Sequence, residues 1–300
     1  MNGIIVLNKP LNISSHDAVF KVKKILHEKK VGHTGTLDPL ASGILIICVG
    51  KATKLSQYLT TDTKMYRAKI MLGLSTKTYD LEGEVVSCKD SSFITEAMID
   101  SALKSFLGKS LQIPPIYSAI KKDGKKLYEY ALKNEEVEID AREIEVYSAT
   151  RCSDVTYENG KVIFDVDLNV SKGTYIRSIA NDIGVKLGVP SVLAGLVRTS
   201  CSCFTLEDAH TLEDLEKGDF KLISMIEAVR NFFLVSDDEL TLKAKNGMKI
   251  SYRYIKDKYN NTPKIIAITD SNKTNLFAIY KLSYNEELKT YYYKADTVWN

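Results

Sequence analysis

The stretch VGHTGTLDPLASGILIICVG, residues 31–50, joins a polar loop to a long apolar run. Within it, residues 43–49, GILIICV, form an unbroken apolar segment of strand length, which is typical of a strand covered on both faces. Asp38 lies in the turn that leads into this segment. The stretch therefore predicts a central strand that begins just after a lone carboxylate.

The composition is that of an ordinary globular protein with room for one large core and a smaller module. Of the 300 residues 44% are hydrophobic and 26% charged, and the net charge of +3 neither requires nor excludes a polyanionic partner. The longest apolar run, residues 43–50, is far shorter than the roughly 20 residues that cross a bilayer. The amino terminus, MNGIIVLNKP, lacks the basic region of a signal peptide. We therefore expect a cytoplasmic protein that has no membrane partner.

The cysteines and histidines do not predict a metal site. The five cysteines are scattered without a C-x-x-C pair, and even Cys201 and Cys203 have no second ligand pair. The four histidines are not paired at ligand spacing either. We expect reduced thiols and no metal.

The rest of the chain mixes strands, hairpins and helices without regular βαβ alternation, which favours an α+β main domain. Residues 162–170, VIFDVDLNV, alternate with period two and predict a strand. Short β-rich pieces follow residue 235. We place a domain boundary between Asn231 and Asp237, which gives a main domain over 1–233 and a small β-rich domain over 234–300.

Asp38 has two interpretations from local chemistry alone. An Asp-Pro pair in a glycine-containing turn commonly accepts backbone N–H bonds. Alternatively, the loop holds one carboxylate in a cleft as a nucleophile or base. A retaining glycosidase would need a second carboxylate about 5 Å away. The sequence nominates no such partner.

Residues 113–133, IPPIYSAIKKDGKKLYEYALK, interleave tyrosines and lysines around an Asp-Gly turn. Lysines suit phosphates and aromatic rings suit bases, so the pattern indicates nucleic-acid binding. A solvated hairpin whose tyrosines pack on the core is the alternative. The residues concerned are Tyr117, Lys121, Lys122, Lys125, Lys126, Tyr128, Tyr130 and Lys133.

Five segments occur in the order seen in one family: NKPLNISSHDAV, GHTGTLDPLASGILIICVGKATK, YRAKIMLGLSTKTYDLEGEVV, IPPIYSAIKKDGKKLYEYA and SKGTYIRSIANDIGVKLG. Over roughly residues 2–215 the chain resembles the TruB family of tRNA pseudouridine synthases. The resemblance implies a mixed, largely antiparallel central sheet flanked by helices, with a tRNA-binding insertion at about 110–150. The carboxy-terminal module resembles a PUA-like RNA-binding domain.

The same resemblance implies an enzyme that isomerises uridine to pseudouridine in the T-loop of tRNA, at the position conventionally numbered 55. It needs no cofactor or metal, and it acts on the T-arm as a monomer without a protein partner. Because the detached uracil is rotated and rejoined through carbon, one carboxylate can suffice. An RNA-binding tRNA-folding helper whose catalysis is secondary, and a carboxylate glycosidase, are the alternatives.

Roles for five residues follow from the resemblance. Asp38 is implied to be catalytic, either as a nucleophile or as the base that forms a glycal, with Arg177 pairing with it through forked donors. Tyr66 is implied to stack on the target uracil, and Tyr175 and Leu196 to line the base pocket. Residues two apart on a helix point about 200° away from each other. We therefore expect Tyr175 and Arg177 to lie in an extended segment, with the helix starting after it.

The remaining implied roles concern RNA contact. His33 is implied to fill the space that the flipped nucleotide leaves in the T-loop. Lys9, in LNKP, is expected near the active site, either in contact with RNA or as a support for the catalytic loop. The insertion is expected to close over the RNA through Lys121, Lys122, Lys125 and Lys126.

Overall fold

The structure is a computed structural model that describes residues 1–60, 63–133 and 135–299. Its strands are β1 (Gly3–Lys9), β2 (Val31–Thr34), β3 (Ala41–Val49), β4 (Lys64–Leu72), β5 (Leu74–Thr76), β6 (Val85–Cys88), β7 (Gly108–Gln112), β8 (Lys121–Lys122), β9 (Lys125–Lys126), β10 (Arg142–Arg151), β11 (Thr156–Glu158), β12 (Lys161–Val170), β13 (Ser191–Cys201), β14 (Phe204–Thr205), β15 (Phe233–Ser236), β16 (Ile250–Ser251), β17 (Ile265–Thr269), β18 (Leu276–Asn285) and β19 (Thr290–Val298).

Helices occur between these strands and cover the sheets. They are α1 (Ser15–Leu26), α2 (Ser56–Leu59), α3 (Glu96–Lys104), α4 (Leu127–Leu132), α5 (Ile176–Leu187), α6 (Leu212–Lys217), α7 (Met225–Ala228), α8 (Asp238–Lys245) and α9 (Tyr252–Tyr259). Two 3-10 turns, Gly50–Leu55 and Leu206–Asp208, complete the set. Within the described ranges, no helix is long and apolar enough to cross a membrane.

The main sheet runs in the order β1-β3-β13-β4-β12-β10-β7, with β2, β11 and β14 paired to its members. Along this path only the β3 and β13 pair is parallel, and the other neighbours are antiparallel. This confirms an α+β fold with a mixed, largely antiparallel sheet. Strand β12 shows the predicted alternation, since every second residue is buried.

Strand β3 is buried on both faces, as its apolar run predicts. Leu45 and Ile47 belong to the cluster that packs α1 and α5 on the sheet, whereas Ile44 and Ile46 belong to a second cluster on the opposite face. Gly43, at the start of the run, has φ +95°, and a Cβ there would lie 2.3 Å from the carbonyl oxygen of Arg198. Only glycine fits this close approach of β3 to β13.

The carboxy-terminal part forms a second sheet in the order β15-β17-β18-β19-β16, with its own apolar cluster. Ile279 and Trp299 also join the cluster that covers the Ile44 face of β3. The indole Nε1 of Trp299 donates to the carbonyl of Lys51 at 2.9 Å. The second sheet therefore packs against the main sheet through a shared apolar cluster.

Candidate active site

The loop that carries Asp38 connects β2 to β3 and is held from both sides. The hydroxyl of Ser15, in the first turn of α1, donates to the Leu37 carbonyl at 2.9 Å and accepts from the Leu37 N–H at 2.8 Å. Ala41 N–H donates to the Asp38 carbonyl at 3.0 Å. The residue before Asp38 is thus fixed to a helix, and the residue itself is fixed to the head of the central strand.

Arg198, on β13, is a buried cation beneath the same loop. Its Nε donates to the Ile44 carbonyl at 2.7 Å and its Nη2 to the Gly35 carbonyl at 3.1 Å. One guanidinium therefore joins the central strand to the loop that carries Asp38. If Arg198 were lost, these buried carbonyls would have no donor, because water does not reach them.

Arg177 lies beside Asp38 and connects it to two other segments. Its Nε is 3.0 Å from Asp38 Oδ2, and its Nη1 is 3.4 Å from Asp80 Oδ2. Nη1 also donates to the Thr78 carbonyl at 3.2 Å, and Nη2 to the Tyr117 carbonyl at 3.0 Å. The resemblance implied the first of these contacts. The expected forked pairing with Asp38 is not present: the carboxylate meets Nε, while Nη1 and Nη2 contact the other two segments. Fixed at several points, the guanidinium presents Nε to Asp38.

Arg198 and Asp80 are site residues that the sequence analysis missed, and Asp80 is the less obvious of the two. Its side chain is only 4% exposed, and it accepts from the Glu82 N–H at 3.1 Å and from the Thr78 hydroxyl. The residue lies inside the TYDLEGEV segment that carried the resemblance, where an aspartate before Gly83 looks like a turn residue. Nothing local distinguishes it, because its partner Arg177 comes from a distant helix.

Tyr175 and Arg177 both reach the cavity because the helix starts between them. Tyr175 has extended backbone, with φ −94° and ψ 111°, and α5 begins at Ile176. The expectation that the helix starts after Arg177 is therefore wrong, although Tyr175 is extended as predicted. Gln112 fixes this junction, since its amide donates to the Tyr175 carbonyl at 3.1 Å and accepts from the Tyr175 N–H at 2.8 Å.

These residues surround a cavity of about 610 Å³ that contains the Asp38 carboxylate. Tyr66, Tyr175 and Leu196 contribute aromatic and aliphatic walls. Burial raises the pKa of the Tyr66 hydroxyl, and the charge and hydrogen bond of Arg198 oppose that rise in part. The phenol is therefore neutral near pH 7. A larger cavity, of about 950 Å³, lies between the insertion and the hairpin of β5 and β6 and does not include Asp38.

His33 stands on β2, outside the residues that line the cavity of Asp38. Its ring meets the His16 ring edge to face, with centroids 5.7 Å apart. Burial first, and then the charges of His16 and Arg198, lower the pKa of His33. Within the described part of the chain, no three His, Cys, Asp or Glu side chains are grouped as a metal site would require.

Lys9 is buried at the end of β1, where it contacts the segment between β1 and α1. It is fully buried, and its Nζ donates to the carbonyls of Pro10 and Ile13, each at 2.8 Å. Burial lowers the pKa of Lys9 to about 8, although the nearby Asp38 charge acts in the opposite direction. In this position the ammonium donates to backbone carbonyls and is covered from solvent. Of the two roles considered for Lys9, this position suits the second.

The lysine-tyrosine segment contains the expected Asp-Gly hairpin. Asp123 and Gly124 have φ of +51° and +82°, so they form the turn between β8 and β9. The Tyr130 hydroxyl donates to the Lys122 carbonyl at 3.1 Å and closes α4 onto the hairpin. Since the Tyr117 carbonyl accepts from Arg177, the insertion also contacts the site itself.

Two of the four hairpin lysines already have acidic partners. Lys122 Nζ is 3.0 Å from Asp140, and Lys125 Nζ is 3.3 Å from Glu135. Both acids lie in the segment that returns from α4 to β10. Lys121 is exposed on β8, directly opposite Lys126 on β9. Surface pairs of this kind contribute about 0–1 kcal/mol, so a phosphate can displace the acids.

Comparison with known proteins places this site in a family. A profile described as the TruB family pseudouridylate synthase, N-terminal domain, matches residues 23–176. The chain is 47% identical over 255 residues to tRNA pseudouridine synthase B of Bacillus pumilus (strain SAFR-032), covering 82% of each chain. It is 42% identical to tRNA pseudouridine synthase B of Bacillus thuringiensis (strain Al Hakam), covering 94% of this chain and 92% of the relative. A solved Cbf5-Nop10-Gar1 complex contains a chain with TM-score 0.68 and 26% identity, covering 99% of this chain and 84% of that one. The protein therefore belongs to the TruB family of pseudouridylate synthases.

Proposed function

We propose that the protein isomerises uridine 55 in the T-loop of tRNA to pseudouridine, with Asp38 as the essential group. The name of its relatives, tRNA pseudouridine synthase B, supports tRNA as the substrate. The observation that carries the proposal is the Asp38 carboxylate, which Arg177 Nε holds at 3.0 Å in a cavity with aromatic and aliphatic walls.

The chemistry needs one carboxylate because nothing leaves the enzyme. The bond between ribose C1′ and uracil N1 breaks, the ring turns, and a bond between C1′ and C5 forms. The proton on C5 departs and N1 gains a proton, so atoms balance without water. Asp38 acts either as a nucleophile or as the base that removes a ribose proton to form a glycal. Both routes require the orientation that Arg177 imposes.

The arrangement of acids favours isomerisation over glycoside hydrolysis. Glu143 is the other carboxylate among the described residues that line the cavity, but its side chain is 71% exposed and lies 3.5 Å from Lys109. Asp80 is buried and contacts Nη1 of Arg177, whereas Asp38 contacts Nε. A hydrolase needs a pair of carboxylates that flank the scissile bond. Among the described residues, Asp38 has no such opposite partner.

The walls suit a nucleotide that has flipped out of the RNA. Tyr66 stacks on the uracil as a neutral phenol, while Tyr175 and Leu196 enclose a ring that must rotate without many hydrogen bonds. His33 takes the place that the base leaves in the T-loop. Its stacking offsets part of an unstacking cost of a few kcal/mol.

We also propose a division of the chain into two domains. We divide it into a catalytic domain over 1–233, with the RNA-binding insertion at about 110–150, and a small carboxy-terminal domain over 234–300. The second sheet begins with β15 at Phe233, one residue before this boundary, which supports a division at about this point. The enzyme acts as a monomer without a protein partner.

The test uses the purified protein and a T-arm hairpin with one uridine at position 55. Asp38→Asn replaces the carboxylate with an uncharged amide of similar size, so the variant should bind the hairpin and form no pseudouridine. Asp154→Asn, at an exposed aspartate outside the cavity, should match the unchanged protein. Substantial turnover by Asp38→Asn, or pseudouridine mapped to another position, would contradict the proposal.

The folding-helper alternative predicts a different result in cells. If RNA binding without catalysis were the main role, Asp38→Asn would restore the growth of a deletion strain in competition with the wild type. If isomerisation is the main role, only the unchanged protein and Asp154→Asn restore it. Free uracil released from the RNA would instead favour the glycosidase.

A further inference from the structure

Arg198 carries a positive charge that the protein encloses almost completely. The residue is 1% exposed. In the described part of the chain, the arginines that pair with acids are Arg67, Arg151 and Arg177, and Arg198 is not among them. Enclosing a cation away from water is unfavourable unless hydrogen bonds satisfy it, and an apolar side chain would serve packing alone. The groups that Arg198 contacts therefore indicate its role.

Tyr66 lies directly opposite Arg198 on the neighbouring strand. The two residues are register partners on β4 and β13, so their side chains leave the same face of the sheet. Both line the cavity that contains Asp38. The guanidinium forms a hydrogen bond with the Tyr66 hydroxyl. Since this bond holds the far end of the phenol, the ring cannot tilt without breaking it.

Strand β13 is irregular on both sides of this position. Its pairing with β4 shifts register between Leu193 and Gly195, and again between Arg198 and Ser200. Bulges of this kind re-aim side chains beside active sites. Between the two shifts lie Leu196 and Arg198, which are the described residues of β13 that line the cavity. Because they are two apart on a strand, they share one face.

The same guanidinium also holds the loop that carries Asp38. Nη2 donates to the Gly35 carbonyl at 3.1 Å, and Nε donates to the Ile44 carbonyl at 2.7 Å. These two carbonyls lie on either side of Asp38 in the chain. One rigid, planar group thus connects both ends of the loop to the Tyr66 ring. A lysine, whose charge is a single point, cannot make these contacts together.

We propose that Arg198 is a positioning residue for the isomerisation, because it sets the distance and angle between the Asp38 carboxylate and the Tyr66 ring. A uracil stacked on Tyr66 then meets the carboxylate in a reactive geometry. A misplacement of about 1 Å can cost about 100-fold in rate. The inference deepens the proposed function and rests on it, since it adds a residue to the same site.

The test is a double-mutant cycle on Arg198 and Tyr66, with the T-arm hairpin as substrate. Arg198→Lys keeps the charge, so the Kd of the hairpin should stay within about threefold, while the single-turnover rate at saturating hairpin should fall about 30- to 100-fold. Tyr66→Phe removes only the hydroxyl and should lose at least as much rate. The double variant should be within about fivefold of Tyr66→Phe, because the contact is already absent.

A matched control is Arg151→Lys. Arg151 also joins several segments, since it donates to Asp100, Glu96 and the Ser153 carbonyl, but it lies outside the cavity. Its replacement should change the rate less than about threefold, with or without the Tyr66 hydroxyl. Near-ultraviolet circular dichroism and urea unfolding establish that each variant is folded.

The outcomes separate the positioning role from the proposed function. An equal loss of rate from Arg198→Lys in both backgrounds would assign Arg198 to general stability and overturn its action through Tyr66. A loss confined to Kd would overturn it as well. If Arg198→Lys does not fold, Tyr66→Phe decides, because an unchanged rate in that variant contradicts the proposal. In each case the wild type still forms pseudouridine, whereas its failure to do so would overturn the proposed function and the positioning role with it.

Discussion

The cations around Asp38 and those on the β8 and β9 hairpin differ in what surrounds them. Arg177, Arg198 and Lys9 are buried, and they donate to carbonyl and carboxylate oxygens from several segments. The lysines of the hairpin stand at the surface, where water can replace each partner. A buried cation therefore determines geometry, because its loss leaves acceptors unpaired. A surface lysine contributes mainly to affinity and its salt dependence.

The largest effect is expected for Arg177→Lys. An ammonium cannot reach Asp38, Asp80 and the Tyr117 carbonyl together, so Asp38 loses the partner that positions it for reaction. Single-turnover formation of pseudouridine at saturating RNA should fall by about 100- to 1,000-fold. If the buried cations, like the hairpin lysines, acted only through RNA affinity, Arg177→Lys would not change the rate at saturating RNA.

The control for that comparison is Arg67→Lys. Arg67 makes a two-pronged pair with Asp167, at 2.8 and 2.9 Å, but both side chains are at the surface. The rate should change less than about threefold, since exposed pairs contribute about 0–1 kcal/mol. A large loss of rate in Arg67→Lys would show that burial does not explain why Arg177 matters more than a surface cation.

The second effect concerns the buried Lys9. Its pKa in the folded chain is lowered to about 8, so the unfolded chain holds an extra proton between that pH and about 10.4. Stability rises with pH wherever the unfolded state binds more protons. The free energy of unfolding of the wild type, relative to Lys9→Met, should therefore increase by about 1–3 kcal/mol from pH 8 to pH 10. Urea titrations of both proteins measure it, and a constant difference would contradict the buried charge.

A third effect is expected from the hairpin. Removing all four lysines, at 121, 122, 125 and 126, should weaken binding of the T-arm hairpin about tenfold near physiological salt and lower the salt slope by about 3. The rate at saturating RNA should stay within about threefold of the wild type. An unchanged slope would show that the hairpin does not contact phosphate.

The smallest effect tests the acids that pair with those lysines. Glu135→Gln with Asp140→Asn frees Lys125 and Lys122 for phosphate, so RNA affinity should increase about twofold to fivefold. Glu158→Gln with Glu207→Gln removes the same charge from exposed positions elsewhere and should have a smaller effect. Equal gains from both pairs would indicate general repulsion and not release of the lysines.

Much of the fold was predictable because its signals are local. The apolar run of β3, the alternation of β12 and the Asp-Gly turn each depend on neighbouring residues, and the structure contains all three. The placement of Arg177 beside Asp38 followed from the resemblance and not from periodicity. Asp80 was missed, and α5 begins earlier than expected, because both depend on packing between distant segments.

The amino-acid sequence by itself determined the strand periods, the polar loop before β3 and the basic and aromatic character of the insertion. Those properties follow from residue type and spacing. Only the tertiary structure decided that Lys9 is enclosed by carbonyls and that Arg177 joins Asp38, Asp80 and Tyr117. These contacts join atoms from segments far apart in the chain, so their distances are set by how the sheet, helices and insertion pack together.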